Sequence, residues 1–99
     1  MLSQLITQML SDTRQGKPAR RKLSGGLHIT IAARSASFTL ILSRDREYPS
    51  AREWETVLKH WPYRTEKIEP ARIIDNDRRM ALKADIPTAR ATQGKFDFA

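Results

Sequence analysis

Residues 27–43, LHITIAARSASFTLILS, alternate between apolar and polar side chains in two consecutive segments. Successive side chains on a β-strand point to opposite faces, so this alternation is typical of strands that bury one face. Only Arg34, Ser35 and Ala36 separate the two segments, and so short a connection favours antiparallel pairing. The sequence therefore predicts a β-hairpin at the centre of the fold.

A helix is predicted after this hairpin. Ser50 and Glu53 have the spacing of a capping box, in which each side chain accepts a hydrogen bond from the backbone N–H of the other residue. Four apolar residues then recur at helical spacing: Trp54, Val57, Leu58 and Trp61. Pro62 ends the helix. We expect this stripe, with both tryptophans, to pack on one face of a sheet rather than to stack on bases.

A second hairpin is predicted further along the chain. Residues 66–74 have strand character, although Pro70 confines them to a sheet edge or a bulge because proline donates no ladder hydrogen bond. Asp75, Asn76 and Asp77 form a turn signal. The segment after the turn alternates again, with Met80, Leu82, Ala84 and Ile86 as its apolar members. Four strands and one helix give a ββαββ domain over residues 27–87, so the predicted fold class is α+β.

The first residues carry an amphipathic helix, which we place at residues 1–15 because Gly16 and Pro18 mark its end. Its apolar stripe consists of Leu2, Leu5, Ile6, Met9 and Leu10. This stripe needs a cover. Either it folds back on the sheet of its own chain, or it pairs with the same helix of a second copy, in which case these five residues mediate oligomerisation as a homodimer.

Two segments lack hydrophobic periodicity. Residues 16–26 contain the like charges Lys17, Arg20, Arg21 and Lys22, and we predict a mobile basic linker there. Residues 88–99 are polar, with Phe96 and Phe98 as the only anchors, and we predict an extended or disordered tail.

The charge of the chain points to polyanions. Within 99 residues, 18 Lys and Arg stand against 11 Asp and Glu, for a formal charge of +7. Such an imbalance favours DNA or RNA as a partner. We predict phosphate contacts from the basic linker, aided by cations at strand ends and turns. The candidate residues are Arg14, Lys17, Arg20, Arg21, Lys22, Arg34, Arg44, Arg46, Arg78 and Arg79.

Other chemistry finds little support in the sequence. The absence of cysteine excludes disulfides and thiolate metal sites, and none of the familiar catalytic motifs is present. We therefore expect a non-catalytic protein without cofactor or metal, with a small magnesium-dependent nuclease as the enzymatic alternative. No segment approaches the ~20 apolar residues of a membrane span, so we expect no membrane partner. The absence of cysteine fits a cytoplasmic location.

A different functional class stays open beside nucleic-acid binding. The amphipathic N-terminal helix and the Phe96/Phe98 tail could serve a small subunit or adaptor that binds another protein. In that case the positive charge would serve solubility or an acidic partner.

Overall fold

The computed structural model describes residues 1–13, 16–62, 68–76 and 78–87. The helices in these ranges are α1 (Leu2–Thr13) and α2 (Ala51–Lys59), and a 3₁₀ turn lies at Ser24–Gly26. The strands are β1 (Ala19–Lys22), β2 (His28–Ala33), β3 (Ser37–Arg44), β4 (Ala71–Ile74) and β5 (Met80–Pro87). They form one antiparallel sheet in the order β1-β2-β3-β5-β4. The fold is α+β, as the sequence predicts, with one strand more than the ββαββ pattern.

Both predicted hairpins are present. In the first, the pairing of β2 with β3 runs from His28 opposite Ser43 to Ala33 opposite Phe38. In the second, β4 pairs with β5, and the Asp75 N–H donates to the Arg79 carbonyl oxygen at 2.8 Å beyond the strand ends. Pro70 precedes β4 and therefore interrupts no ladder hydrogen bond. Residues 66 and 67 of the predicted strand lie outside the described residues.

Both helices pack on the same face of the sheet, which we call the helical face. Alternate residues of the strands form one buried cluster with the apolar stripes of α1 and α2. Trp54, Val57 and Trp61 belong to this cluster, which confirms the packing predicted for the α2 stripe. The Trp54 Nε1–H donates to the Ile68 carbonyl oxygen at 3.0 Å, so the indole polar atom is satisfied within the core. The opposite side of the sheet carries neither described helix, and we call it the open face.

The N-terminal helix covers the sheet of its own chain. Ile6 and Met9 are fully buried, and Thr13 at the end of α1 donates its Oγ1 hydrogen to the Ile31 carbonyl oxygen at 2.7 Å. The complete stripe packs in or against the core: Leu2, Leu5, Ile6, Met9 and Leu10. Folding back is therefore the arrangement observed. The apolar surface that a homodimer through these five residues would require is used within one chain, and that oligomerisation stays a prediction.

The prediction of a mobile linker over residues 16–26 is wrong for Ala19–Lys22, which forms the edge strand β1. Pairing with β2 runs from Ala19 opposite Ile31 to Lys22 opposite His28. The like charges do not prevent this pairing because alternation separates them. Arg20 and Lys22 point to the open face, whereas Arg21 points to the helical face.

Candidate functional site

The strand register arranges polar side chains in rows on the open face. In one row Lys22 lies opposite His28, His28 opposite Ser43, and Ser43 opposite Ala81. The neighbouring row contains Arg20, Thr30, Ile41 and Lys83. Arg79 is two residues before Ala81 and continues the same alternation. Cations of β1, of β5 and of the residue before β5 therefore share one face of the sheet, although they are far apart in the sequence.

An ion pair joins the two edges of the sheet across the open face. Arg20 lies on β1 and Asp75 directly follows β4, the opposite edge, yet Arg20 Nη2 and Asp75 Oδ2 are only 3.6 Å apart. Neighbouring strands are about 4.8 Å apart, so the edges of a flat five-stranded sheet would be separated by about 19 Å, beyond the reach of these side chains. The sheet and its β4–β5 turn must therefore curl toward β1, which makes this end of the open face concave.

Two buried polar groups at this concave end have no hydrogen-bond partner among the described residues. Ser43 is only 1% exposed, and its Oγ is unpartnered. Arg79 Nη1 is likewise buried and unpartnered, while Arg79 Nε lies 3.5 Å from Asp45 Oδ1. Since Ser43 pairs with Ala81, Ser43 and Arg79 are diagonal neighbours on β3 and the approach to β5. Buried donors are normally satisfied, so two unsatisfied neighbours distinguish this place from the rest of the sheet.

The other buried side-chain atoms without a hydrogen-bond partner in the described chain, Arg44 Nε and Trp61 Nε1, belong to the helical side. Arg44 already bonds Glu53 through its other nitrogens, and Trp61 packs edge-on against Phe38 with ring centroids 6.1 Å apart. Among the described residues, Ser43 and Arg79 are the neighbours in the strand register whose buried side chains both have an atom without a hydrogen-bond partner.

The pKa of His28 is lowered by its surroundings on the open face. Burial lowers the pKa of its imidazole, and the positive charges of Arg79, Arg20 and Lys22 lower it further, against an opposing effect of Asp45. The pKa of His28 therefore lies below its ordinary value of about 6.5. Three cations that act on one imidazole mark a local excess of positive charge, although three carboxylates, Asp45, Asp75 and Asp85, share this face.

The open face brings together three residues of the predicted phosphate-binding set: Arg20, Lys22 and Arg79. Two others, Lys17 and Arg34, are exposed at the far end of β1 and β2. Arg34 Nε donates there to Thr39 Oγ1 at 3.3 Å. The predicted contribution of the basic segment is therefore divided between two ends of the sheet.

Two residues of the predicted set instead hold the helical face together. Arg21 Nη2 lies 2.6 Å from Asp12 Oδ2 and so joins β1 to α1. Arg44 forms two hydrogen bonds with the Glu53 carboxylate, one of them 2.8 Å from Nη1 to Oε1, and so joins β3 to α2. Each guanidinium is engaged by a carboxylate on the side of the sheet that the helices cover, and the role of these two residues as phosphate contacts stays a prediction.

The remaining described members of the set lie in turns next to residues of the concave end, Arg46 after Asp45 and Arg78 before Arg79. Arg46 and Arg78 are exposed in turns, with positive φ angles of 68° and 60°. Arg14 lies outside the described residues. The predicted set lacks His28, Ser43 and Lys83, although all three occupy polar positions of predicted alternating strands. The polar residues of an alternating strand all point to the face opposite its apolar residues, and this rule would have placed His28, Ser43 and Lys83 on the open face.

In the ranges that the structure describes, no three His, Asp or Glu side chains are grouped so that they could hold a metal ion. Within the same ranges, α1 and α2 both lack the length and apolar character needed to cross a bilayer.

Compared with known protein families, curated proteins and solved structures, the chain shows no match. Its function must therefore be inferred from the residues of the open face.

Proposed function

We propose that this protein binds nucleic acid non-catalytically, by contacts between backbone phosphates and the open face of its sheet. One observation carries the proposal: the strand register and alternation place Arg20, Lys22 and Arg79 near His28 on the side of the sheet that neither described helix covers. Each Lys or Arg that neutralises a phosphate releases a condensed counterion, and this release favours binding without any sequence-specific contact.

The chemistry of the open face favours phosphates over bases. Binding by base stacking requires aromatic rings on the surface. Among the described residues, Phe38, Trp54 and Trp61 are buried in the core, and the Tyr48 ring is covered by the Arg72 guanidinium at 4.9 Å. The open face supplies cations, hydroxyls and an imidazole instead. Contacts of this kind fix position on a polyanion and carry little sequence information.

Lys22 and Lys83 are the open-face residues best suited to meet a polyanion. Neither forms a salt bridge in the described part of the chain, whereas Arg20 pairs with Asp75 and Arg79 with Asp45. Lys22 lies on the β1 edge and Lys83 on β5, so together they flank the curved surface between them. Their ammonium groups need break no ion pair before they contact phosphate.

The adaptor alternative loses one of its two binding elements, because the apolar stripe of α1 lies in or against the core. Phe96 and Phe98, its other element, lie outside the described residues. No observation on the described residues favours it over nucleic-acid binding.

A salt series tests the proposed function. We expect the purified protein to bind mixed-sequence DNA or RNA at low salt and to lose affinity steeply as salt rises. The double variant Lys22→Gln/Lys83→Gln should flatten the slope of log K against log salt by up to about 1.8 on duplex DNA, because each phosphate contact contributes about 0.9. Fluorescence anisotropy of labelled oligonucleotides measures both quantities.

A matched control separates the open face from overall charge. The double variant Arg52→Gln/Lys59→Gln removes the same net charge from exposed positions of α2, on the helical side. It should leave the slope close to that of the parent protein. Equal losses in the two double variants would contradict the assignment to the open face, and a parent protein that binds no nucleic acid in dilute buffer would contradict the function itself.

A further inference from the structure

We infer that the concave end of the open face contains a pocket for a single phosphate group, formed by Ser43, Arg79 and His28 and closed in this structure by the Arg20–Asp75 ion pair. This inference rests on the proposed function and deepens it. One phosphate of the polyanion is held there by directed hydrogen bonds, in addition to the diffuse attraction of the surrounding lysines.

The donors of the pocket fit a phosphate. Ser43 offers one buried O–H and Arg79 Nη1 offers buried N–H groups, and all are unpartnered in the described chain. Phosphate oxygens accept hydrogen bonds from both groups, and the planar guanidinium matches their spacing. The carboxylates beside the pocket, Asp45 and Asp75, are already paired with Arg79 and Arg20, so the buried groups left without a partner are hydrogen-bond donors. The unsatisfied groups and their charge therefore both select an anion.

The register brings the three residues to one place. His28 and Ser43 are direct cross-strand neighbours, with Cβ atoms about 5 Å apart in such pairs. Arg79 is the diagonal neighbour of Ser43, on the opposite side from His28. His28 on β2 and Arg79, directly before β5, therefore lie on either side of β3, and Ser43 forms the floor between them.

Two long ion pairs surround this floor. Arg20 and Asp75 are 3.6 Å apart, and Arg79 and Asp45 are 3.5 Å apart. Both separations exceed the 2.7–2.9 Å of a good charge-assisted hydrogen bond, in contrast to the 2.6 Å between Arg21 and Asp12 on the helical face. A phosphate oxygen at hydrogen-bond distance can replace such long carboxylate contacts.

The Arg20–Asp75 pair acts as a clasp over the pocket. It connects the two edge regions of the sheet, so on this face it must cross the strands that carry His28 and Ser43. When the pair separates, the floor becomes accessible and Arg20 can join the phosphate. The Asp75 carboxylate therefore competes with the ligand for a cation.

Titration with inorganic phosphate, followed by amide chemical shifts of the ¹⁵N-labelled full chain, tests the pocket. Shifts of Ser43 and Ala81 should saturate with phosphate and stay absent with sodium chloride at matched ionic strength. Ser43→Ala should weaken phosphate binding by on the order of tenfold, the usual effect of losing one hydrogen bond to a charged group. Ser35→Ala, at an exposed position of the β2–β3 turn, is the matched control and should bind like the parent protein.

Two further variants should change the affinity for phosphate in opposite directions. Arg79→Lys keeps the charge but loses the planar fork, so it should also weaken phosphate binding. Asp75→Asn should strengthen binding several-fold, because it removes the competing charge yet keeps the side-chain oxygen that accepts from the Asn76 N–H at 2.6 Å. Weaker phosphate binding by the Asp75→Asn variant would contradict the claim that the Arg20–Asp75 ion pair closes the pocket and competes with phosphate.

The outcomes separate the pocket from the proposed function. Non-saturating shifts, or equal phosphate affinity in Ser43→Ala and Ser35→Ala, would overturn the pocket even if nucleic acid binds with the expected salt dependence. Saturable phosphate binding that Ser43→Ala weakens would support the pocket even if the protein binds no nucleic acid, in which case only the proposed function fails.

Discussion

Arginine residues serve two different purposes in this molecule, and the difference lies in the face to which each side chain points. Arg44 follows Phe38, Leu40 and Leu42 with the same period of two, so it lies on the helical face and meets Glu53. The Glu53 carboxylate also accepts from the Ser50 N–H at 2.8 Å within the predicted capping box, which the structure confirms. One carboxylate thus connects a strand end to a helix start.

The ionisation of Glu53 reflects these contacts. The hydrogen bond from Arg44 is the main cause of a pKa below the ordinary carboxyl value, with the Ser50 backbone acting in the same direction and burial opposing it. A carboxyl whose folded pKa is lowered stabilises the fold above its ordinary pKa and loses that contribution as the pH falls through the folded value. The Arg44–Glu53 pair should therefore stabilise the protein at neutral pH and contribute less in acid.

Glu53→Gln should lower the free energy of unfolding by on the order of 1 kcal/mol at pH 7, the usual size of a helix cap combined with a half-buried ion pair. Glu55→Gln, exposed on the same helix, should change it little. Urea unfolding at pH 7 and near pH 3 measures both variants. The difference between Glu53→Gln and the parent protein should shrink at the lower pH, and an equal difference at both pH values would contradict an ionised pair.

At the scale of elements, local alternation was sufficient for β2, β3 and β5 and failed for β1. The weaker strand β4 was predictable because a turn signal at residues 75–77 separates it from the alternating residues of β5. In β1 the positions facing the helices include Arg21, a charge that breaks the apolar pattern. Asp12 of α1 compensates that charge, and no pattern within residues 19–22 encodes a contact with another element. The edge strand therefore could not be distinguished from a basic linker.

The position of α1 depended on long-range packing in the same way. The apolar stripe of α1 was predictable from the sequence. The surface that it packs against was not, because the same apolar residues could pack on the chain's own sheet or on a second copy. The structure places Ile6 and Met9 in the core and ties Thr13 to β2. Packing of α1 should consequently contribute to the stability of a single chain.

Ile6→Ala should lower the free energy of unfolding by about 2–5 kcal/mol, the usual range for a large side chain removed from a core. Ser3→Ala, on the exposed side of α1, should have a small effect. Urea unfolding at several protein concentrations checks the arrangement, because unfolding of one chain has a midpoint independent of concentration. A midpoint that rises with concentration would instead indicate that a second copy contributes the cover.

At the scale of the whole molecule, the apolar core and the cations proposed to bind phosphate lie on opposite faces of the sheet. Two helices and the apolar cluster occupy one side, and cations from β1, β5 and the turn before β5 converge on the other. The net charge of +7 was available from the sequence, whereas its location was not. Convergence of Lys22, His28 and Arg79 depends on the register and curl of five strands, and both are set by contacts between residues far apart in the chain.

The surface that meets nucleic acid can be mapped directly. A short mixed-sequence single-stranded DNA is titrated at low salt into the ¹⁵N-labelled protein, and the amide shift changes are assigned to residues. We expect the largest changes on the open face, at Lys22, His28, Ser43 and Lys83, with α1 and α2 nearly unchanged. Changes confined to the helices, or no change at any DNA concentration, would contradict the binding surface proposed for this protein.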